Sequence, residues 1–279
     1  MTIVNGALDG DAAKALEMLV TARATGQPCP PVRGLLPAGD VAAAYAVQSA
    51  WVADQIAAGA RVVGRKIGLT NPVVQAQFGV DRPDFGVLFD AMACGPRTPI
   101  DCARTLQPKI EAEIAFVLAE DLTGAVIGPA EVAAATAYVV AALEIVDSRI
   151  EGWDITIVDT IADNGSSGLF VLGDRRQPLG DLDLAECAMT LRRVAGGGAD
   201  GAGGEVVSTG TGAACLGHPL AAVAWLAAAV RDHGRPLRAG EVVLSGSLGP
   251  MVTVVPGDAF VADITGVGQV GAVFAEGTS

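Results

Sequence analysis

The stretch QPKIEAEIAFVLAED, residues 107–121, reads as a strand that ought to be apolar throughout, yet Glu111 and Glu113 interrupt it two residues apart. Side chains on a strand alternate with a period of two, so Glu111, Glu113 and Ala115 share one face while Ile110, Ala112, Ile114 and Phe116 share the other. Either the glutamate face meets water or something positive sits against it. The fold follows from this strand and from similar runs after it, and the function from what answers the two carboxylates.

Around that strand, short apolar runs broken by Gly, Pro and Asp continue from Val62 to the end, among them VVGRKIGL, FGVLF, VVAALEIVDS, GLFVLG, GEVVSTG, GEVVLSG, MVTVVPGD, AFVADIT and VGAVFA. This spacing predicts a strand-rich body. The first 60 residues differ. Residues 11–24 predict a helix, and Asp40 is placed to cap a second, VAAAYAVQSAWVADQIAAG, that Gly59 ends. Further helices are expected near Pro129 and from His218-Pro219 to Gly234. No regular βαβ repeat occurs, which argues against a doubly wound parallel sheet. The glycine-rich AGGGADGAGG, 195–204, between LRRV and EVVST, reads as a hairpin loop.

Composition narrows the function. The chain has 279 residues, of which 51% are hydrophobic, enough for a large core. A formal net charge of -13 speaks against nucleic acid as a partner and leaves small molecules as the expectation. Five scattered cysteines without a CxxC spacing fit reduced thiols, read here as small buried hydrophobes, in a cytoplasmic protein. Neither an export signal nor a membrane anchor is expected from the pattern.

A third acid, Glu144, also interrupts an apolar run, VVAALEIVDS. Any one of the three glutamates fits a solvated face. Three together, if buried, require a cation, because each unpaired buried carboxylate costs several kcal/mol and their repulsion adds to it. Oxygen donors alone favour Mg²⁺ or Mn²⁺ over Zn²⁺. Whether Glu144 approaches the pair is not readable from the sequence. In GRKIGLTNPVVQAQFGVDRPDFGVLF, residues 64–89, Lys66 shares a strand face with Gly64 and Gly68, which would let a ligand come close, and Asp84 is its candidate partner in proton transfer. A solvated lysine is the alternative. VDTIADNGSSG, 158–168, reads as a turn or as a source of hydroxyl and amide donors to a carboxylate. Two histidines, His218 and His233, bracket one predicted helix and leave little for a Ser-His-Asp triad. GTGTGAACLG, 208–217, lacks both GxGxxG and GK[ST], which discounts a nucleotide site.

Taken in order, GRKIGLT, PDFGVLF, QPKIEAEIAFVL, ALEIVDSRIEGW, VDTIADNGSSG, CLGHPLAAVAWLA and LSGSLGPMVTVVPGD resemble the 2-keto-4-pentenoate hydratases of bacterial aromatic meta-cleavage pathways, within the fumarylacetoacetate hydrolase superfamily. The resemblance runs over nearly the whole chain. It implies an α+β fold, a mixed β-sandwich or roll of the fumarylacetoacetate hydrolase C-terminal type over 61–279 with a small helical N-terminal region over 1–60. It also implies Glu111, Glu113 and Glu144 as ligands of Mg²⁺ or Mn²⁺, Lys66 and Asp84 as the acid/base pair, and Ser166, Gly68 and Leu69 against the substrate. The implied reaction is addition of water to 2-hydroxypenta-2,4-dienoate, by a homo-oligomer that associates with a pathway aldolase or decarboxylase. Three alternatives stand beside it. A 4-oxalocrotonate decarboxylase would need a cation for its second carboxylate, for which Arg65 and Arg149 are available. An acylpyruvate hydrolase would need a histidine-acid pair, and the chain has no histidine before His218. A silent partner of another enzyme would have no use for the acids and Lys66.

Overall fold

A computed structural model describes residues 8–71, 75, 80, 82–194 and 204–276. Helix α1 (Gly10–Thr25) starts where the Asp9 side chain accepts the Ala12 N–H and ends at Gly26 in the left-handed region. Helix α2 (Val41–Ala57) is capped by Asp40 in the same way, and its buried side is formed by Ala44, Tyr45, Val47, Gln48, Trp51 and Val52. These side chains join the core of the body rather than a core of their own, since residues of α1 and α2 belong to the clusters built on the strands.

The body contains thirteen described strands in two sheets. The larger holds β1 (Val62–Gly68), β2 (Asp84–Phe89), β3 (Ala93–Cys94), β5 (Pro108–Leu118), β6 (Thr136–Asp147), β7 (Ser167–Leu172) and β10 (Val242–Ser247), in the order β2-β1-β10-β5-β6-β7-β3, with β11 (Val252–Thr253) pairing onto β5. The smaller holds β4 (Pro99–Ile100), β8 (Ala188–Val194), β9 (Glu205–Thr211), β12 (Ala259–Ile264) and β13 (Gly268–Phe274), in the order β4-β13-β12-β8-β9. Pairing is mostly antiparallel, with β1 and β10, β3 and β7, and β4 and β13 parallel. Strands β12 and β13 pack on β6, so the smaller sheet covers part of the larger one. This is the α+β mixed-sheet architecture expected from the sequence.

The central strands answer the opening question. Ile110, Ala112, Ile114 and Phe116 lie in one hydrophobic cluster, while Ala115 and, on β6, Val140 and Ala142 lie in another on the opposite side of the sheet. Both faces are therefore covered, and the glutamates do not face bulk water.

Helices α3 (Pro129–Ala135), α4 (Ile157–Ala162) and α5 (Pro219–Asp232) complete the described α-helices, with short 3₁₀ turns between elements. Helix α4 departs from the turn expected over 158–168. Thr156 donates from its N–H and its hydroxyl to Asp159 Oδ2, which nucleates a helical turn, and Val158, Ile161 and Ala162 bury its inner side. Strand β11 is shorter than the run MVTVVPGD suggested. The 212–232 segment is apolar and long enough to cross a membrane by those criteria alone, but seven α5 residues are buried within this fold, as in a core helix. All five cysteines are free; Cys29, Cys187 and Cys215 are buried as expected, whereas Cys94 and Cys102 are partly exposed. The glycine-rich stretch read as a hairpin loop lies, but for Gly204, outside the described residues; the strands that flank it in sequence, β8 and β9, pair antiparallel.

Candidate active site

The antiparallel register of β5 and β6 sets Glu111 directly opposite Glu144, with Glu113 one pleat further along. One carboxylate oxygen from each lies within 4.8 Å of the others. Glu113 is 0% exposed and Glu144 is 1% exposed, whereas Glu111 keeps one edge open to a cavity of about 580 Å³. Like charges directly across a strand pair destabilise a sheet, and here the cost is compounded by burial. Burial, then the neighbouring Glu144, pushes the Glu111 carboxyl up to about 7. Burial, Glu144 and Glu111 raise Glu113 well above the ordinary range, and burial also raises Glu144.

Few groups answer these charges. Glu113 Oε2 accepts the Gly246 N–H at 2.8 Å, across a β-bulge where β10 meets β5. Gly246 has φ +103, and a Cβ there would sit 2.4 Å from Thr70 Oγ1, so the bulge requires glycine. The Cys215 thiol lies 3.1 Å from Gly246 O and holds the following peptide of the same bulge. Glu113 Oε1 and both Glu144 oxygens have no hydrogen-bond partner. Lys66 Nζ approaches Glu144 Oε1 at 3.3 Å, an ion contact rather than a well-directed hydrogen bond. Buried, converging, unsatisfied carboxylate oxygens fit a hard divalent cation, which all three glutamates would hold.

Lys66 sits on β1 between β2 and β10 and is 3% exposed. Burial alone would depress its ammonium, but the combined field of Glu144, Asp84, Glu111 and Glu113 outweighs it and holds it above its ordinary value. Asp84 enters from β2, opposite Gly68 and 1% exposed. Its Oδ2 receives the Thr160 hydroxyl at 3.3 Å, and Thr160 Oγ1 is 3.2 Å from Ser166 Oγ; Oδ1 has no partner. Burial raises the Asp84 carboxyl, with Lys66 opposing.

The turn at 164–166 closes over Lys66. A Cβ at Gly165, which has φ +63, would lie 2.8 Å from Lys66 Cε. Asn164 clamps the turn to β2 through paired bonds with Val87, Oδ1 accepting at 2.8 Å and Nδ2 donating at 2.9 Å. Below it, Arg149 pairs with Asp163 and donates to Ser167 O. Leu69, Asn164 and Ser166 all have positive φ without being glycine, a concentration of strain typical of functional walls.

The structure thus brings Lys66, Gly68, Leu69, Asp84, Glu111 and Ser166 to one cavity wall, with Glu113 and Glu144 packed behind Glu111. It does not bring Arg65 or Arg149 there: Arg65 donates to Gly64 O and faces Glu241, and Arg149 is locked on Asp163. His218 caps α5 and His233 lies against Tyr45 and Phe85, both away from the acids. Thr160, Gly246, Lys109 and Trp153 were not singled out beforehand. Thr160 lay inside VDTIADNGSSG, one helical turn and a half before Ser166, and would have been found once that segment was read as helix.

Comparisons with known proteins place the chain in a family. The family model described as fumarylacetoacetate (FAA) hydrolase C-terminal matches residues 61–275. A 2-keto-4-pentenoate hydratase from Burkholderia vietnamiensis is 52% identical over 96% of this chain and 99% of its own. A 2-keto-4-pentenoate hydratase from Dechloromonas aromatica is 50% identical over 98% of this chain and 100% of its own. Among solved structures, a 4-oxalocrotonate decarboxylase from Pseudomonas putida, complexed with magnesium and adipate, superposes with a TM-score of 0.85 at 33% identity, covering 94% of this chain and 97% of that one. The α+β fold is thus shared with a solved enzyme at 33% identity. The chain belongs to the fumarylacetoacetate hydrolase family.

Proposed function

We propose that this chain is a divalent-metal-dependent hydro-lyase that adds water to 2-hydroxypenta-2,4-dienoate, giving 4-hydroxy-2-oxopentanoate in the meta-cleavage breakdown of aromatic compounds. The observation that carries the reading is the Glu111, Glu113 and Glu144 cluster, with three orphaned oxygens on Glu113 and Glu144, which meets through Glu111 the cavity that Lys66 and Asp84 also line. Hydratases about half identical over nearly the full chain support the choice of reaction.

Glu111, Glu113 and Glu144 would hold the ion, Mg²⁺ or Mn²⁺, which would supply Lewis-acid polarisation of the substrate's 2-oxo acid head. Lys66, kept as an ammonium by the surrounding acids, holds a proton for C5. Asp84 Oδ1, free of other partners, is the acceptor for the proton of the water that adds at C4. Thr160 fixes the Asp84 carboxylate and bridges it to Ser166, which together with Gly68 and Leu69 forms the wall against the substrate. The turn through Gly165 excludes water from the Lys66 side. The division into a 1–60 helical region and a 61–279 catalytic body, a cytoplasmic location and a homo-oligomer associated with a pathway aldolase or decarboxylase belong to the same reading.

Arg65 and Arg149, the cations named for the decarboxylase alternative, point away from the cavity, although Lys109 lines it, and neither His218 nor His233 is among its lining residues. Purified protein with Mg²⁺ and fresh 2-hydroxypenta-2,4-dienoate should yield a product heavier by one water, lost on chelation. Lys66→Ala should retain Mn²⁺ binding by calorimetry while turnover falls ~10²- to 10⁴-fold. Loss of CO₂ from 4-oxalocrotonate with the dienoate untouched, or full activity of Lys66→Ala, would overturn the assignment.

A further inference from the structure

Helix α2 carries one carboxamide in its buried stripe. Ala44, Tyr45, Val47, Trp51 and Val52 are apolar or aromatic, whereas Gln48, 3% exposed, brings an amide into the interior. Burying that group is unfavourable unless it is hydrogen-bonded. Its Nε2 donates to Phe85 O at 2.9 Å and to Ile161 O at 3.2 Å. Both partners are backbone carbonyls, one on β2 and the other near the end of α4.

The two carbonyls have neighbours that matter. Phe85 follows Asp84 and Ile161 follows Thr160, so a single nitrogen ties together the two backbone segments whose side chains meet in the site. Strand β2 is the terminal strand of the larger sheet, and such an edge leaves backbone groups without a strand partner. Here side-chain amides take the place of a strand: Gln48 bonds Phe85 O, and Asn164 bonds the N–H and O of Val87. Helix α4 is held near its start from the N-terminal region as well, because Arg33 donates from its backbone N–H to Asp159 Oδ1 at 2.8 Å and from Nη1 to Oδ2 at 2.9 Å. Thr160 therefore lies between two anchors, both supplied by residues that precede β1. Its placement has little slack. The Thr160 hydroxyl meets Asp84 Oδ2 at 3.3 Å, already longer than is usual for such a bond, so a further shift of about half an ångström breaks it.

We propose that Gln48 is a positioning residue for the reaction: it staples β2 to α4 so that Thr160 holds the Asp84 carboxylate and leaves Oδ1 free for the reacting water. The inference rests on the proposed function for the role of Asp84. It gives the helical N-terminal region a part in turnover through a side chain that is not among those lining the cavity.

Gln48→Met keeps the length of the side chain and removes both donors. In steady-state hydration of 2-hydroxypenta-2,4-dienoate with Mg²⁺, kcat should fall about tenfold, while KM and the Mn²⁺ affinity read by calorimetry stay within about twofold of the unaltered protein. Thr160→Val should lower kcat by a similar factor. The double variant Gln48→Met/Thr160→Val should be about as slow as the worse single one, because both act on the same contact. Gln48→Asn, one methylene shorter and unable to span both carbonyls, gives the same reading should the methionine variant lose its folded transition. A lower Tm with unchanged kcat in Gln48→Met or Gln48→Asn makes the residue a packing element only and overturns the inference. So does a double variant about a hundredfold slower, the product of two independent effects. Asp84→Asn separates this inference from the reading beneath it: retained turnover there overturns Asp84 as the acceptor, and the staple with it, whereas lost turnover there beside full activity in Gln48→Met overturns the staple alone.

Discussion

The three glutamates make stability depend on pH and on metal in opposite directions, and the size of the effect can be worked from Glu111. Its carboxyl rises from an ordinary 4.5 to about 7 in the folded chain, mainly through burial and secondly through Glu144. The folded state therefore binds this proton more tightly than the unfolded chain does. Its stabilisation is fully present below pH 4.5 and is lost as pH climbs through about 7. The difference corresponds to about 3 kcal/mol, to which Glu113 and Glu144, raised for the same reason, add further. A divalent ion needs these groups deprotonated, so its stabilisation grows as pH rises. Melting curves at pH 5.5 and pH 8, in chelator and in excess Mg²⁺, test this. Without metal the Tm should fall by roughly 5–10 °C between the two. The gain on adding Mg²⁺ should be several degrees larger at pH 8. Asp163, raised to about 6 mainly by burial, gives a pH slope of the same sign, but it sits on Arg149 and not on the ion, so it cancels in the comparison with and without metal. Glu111→Gln should flatten part of the metal-free slope. An equal Mg²⁺ gain at both pH values would refute the argument.

Two further changes probe the surroundings of the acids. In Gly68→Ala the new Cβ would fall 2.1 Å from Asp84 Oδ1, so the carboxylate must swing away; turnover should drop at least tenfold while the Tm changes little and Mn²⁺ still binds, as read by steady-state kinetics, melting and calorimetry. Arg149→Met strands the buried Asp163 carboxylate and the Ser167 carbonyl, and urea unfolding should report a loss of about 3–5 kcal/mol, much of it recovered in the double variant Arg149→Met/Asp163→Leu.

The alternation in 107–121 was enough to place Glu111 and Glu113 on one face and to predict the strand, because a two-residue period leaves no freedom in side-chain direction. Its meaning required tertiary information. Whether that face met solvent depended on the packing of other elements, α2 among them, on that side of the sheet, and Glu144 was brought opposite Glu111 by the β5–β6 register, which no local pattern encodes. The caps at Asp9 and Asp40 were legible since they act over three residues. Helix α4 was not, because Asp, Asn, Gly and Ser around it carry turn preferences that the Thr156–Asp159 contacts and the buried Ile161 override. Arg65 and Arg149 looked like free cations in the sequence, but their partners Glu241 and Asp163 come from distant or differently folded segments. Lys109 was hidden for the opposite reason: its neighbour Trp153 comes from beyond the end of β6 and meets it only after folding.

The acids stand on β5 and β6, the two longest strands, while the far wall of the cavity is made by short connections, the turn carrying Trp153 and the segment Gly249–Pro250–Met251 between β10 and β11. A substitution in the strands disturbs the register of the whole sheet; one in the connections disturbs only its own turn. Variation can therefore accumulate at the tail end of the cavity without loss of the charged end. A scaffold divided in this way can be diversified for new chain lengths and end groups by exchanging two short loops, with its reactive chemistry inherited unchanged.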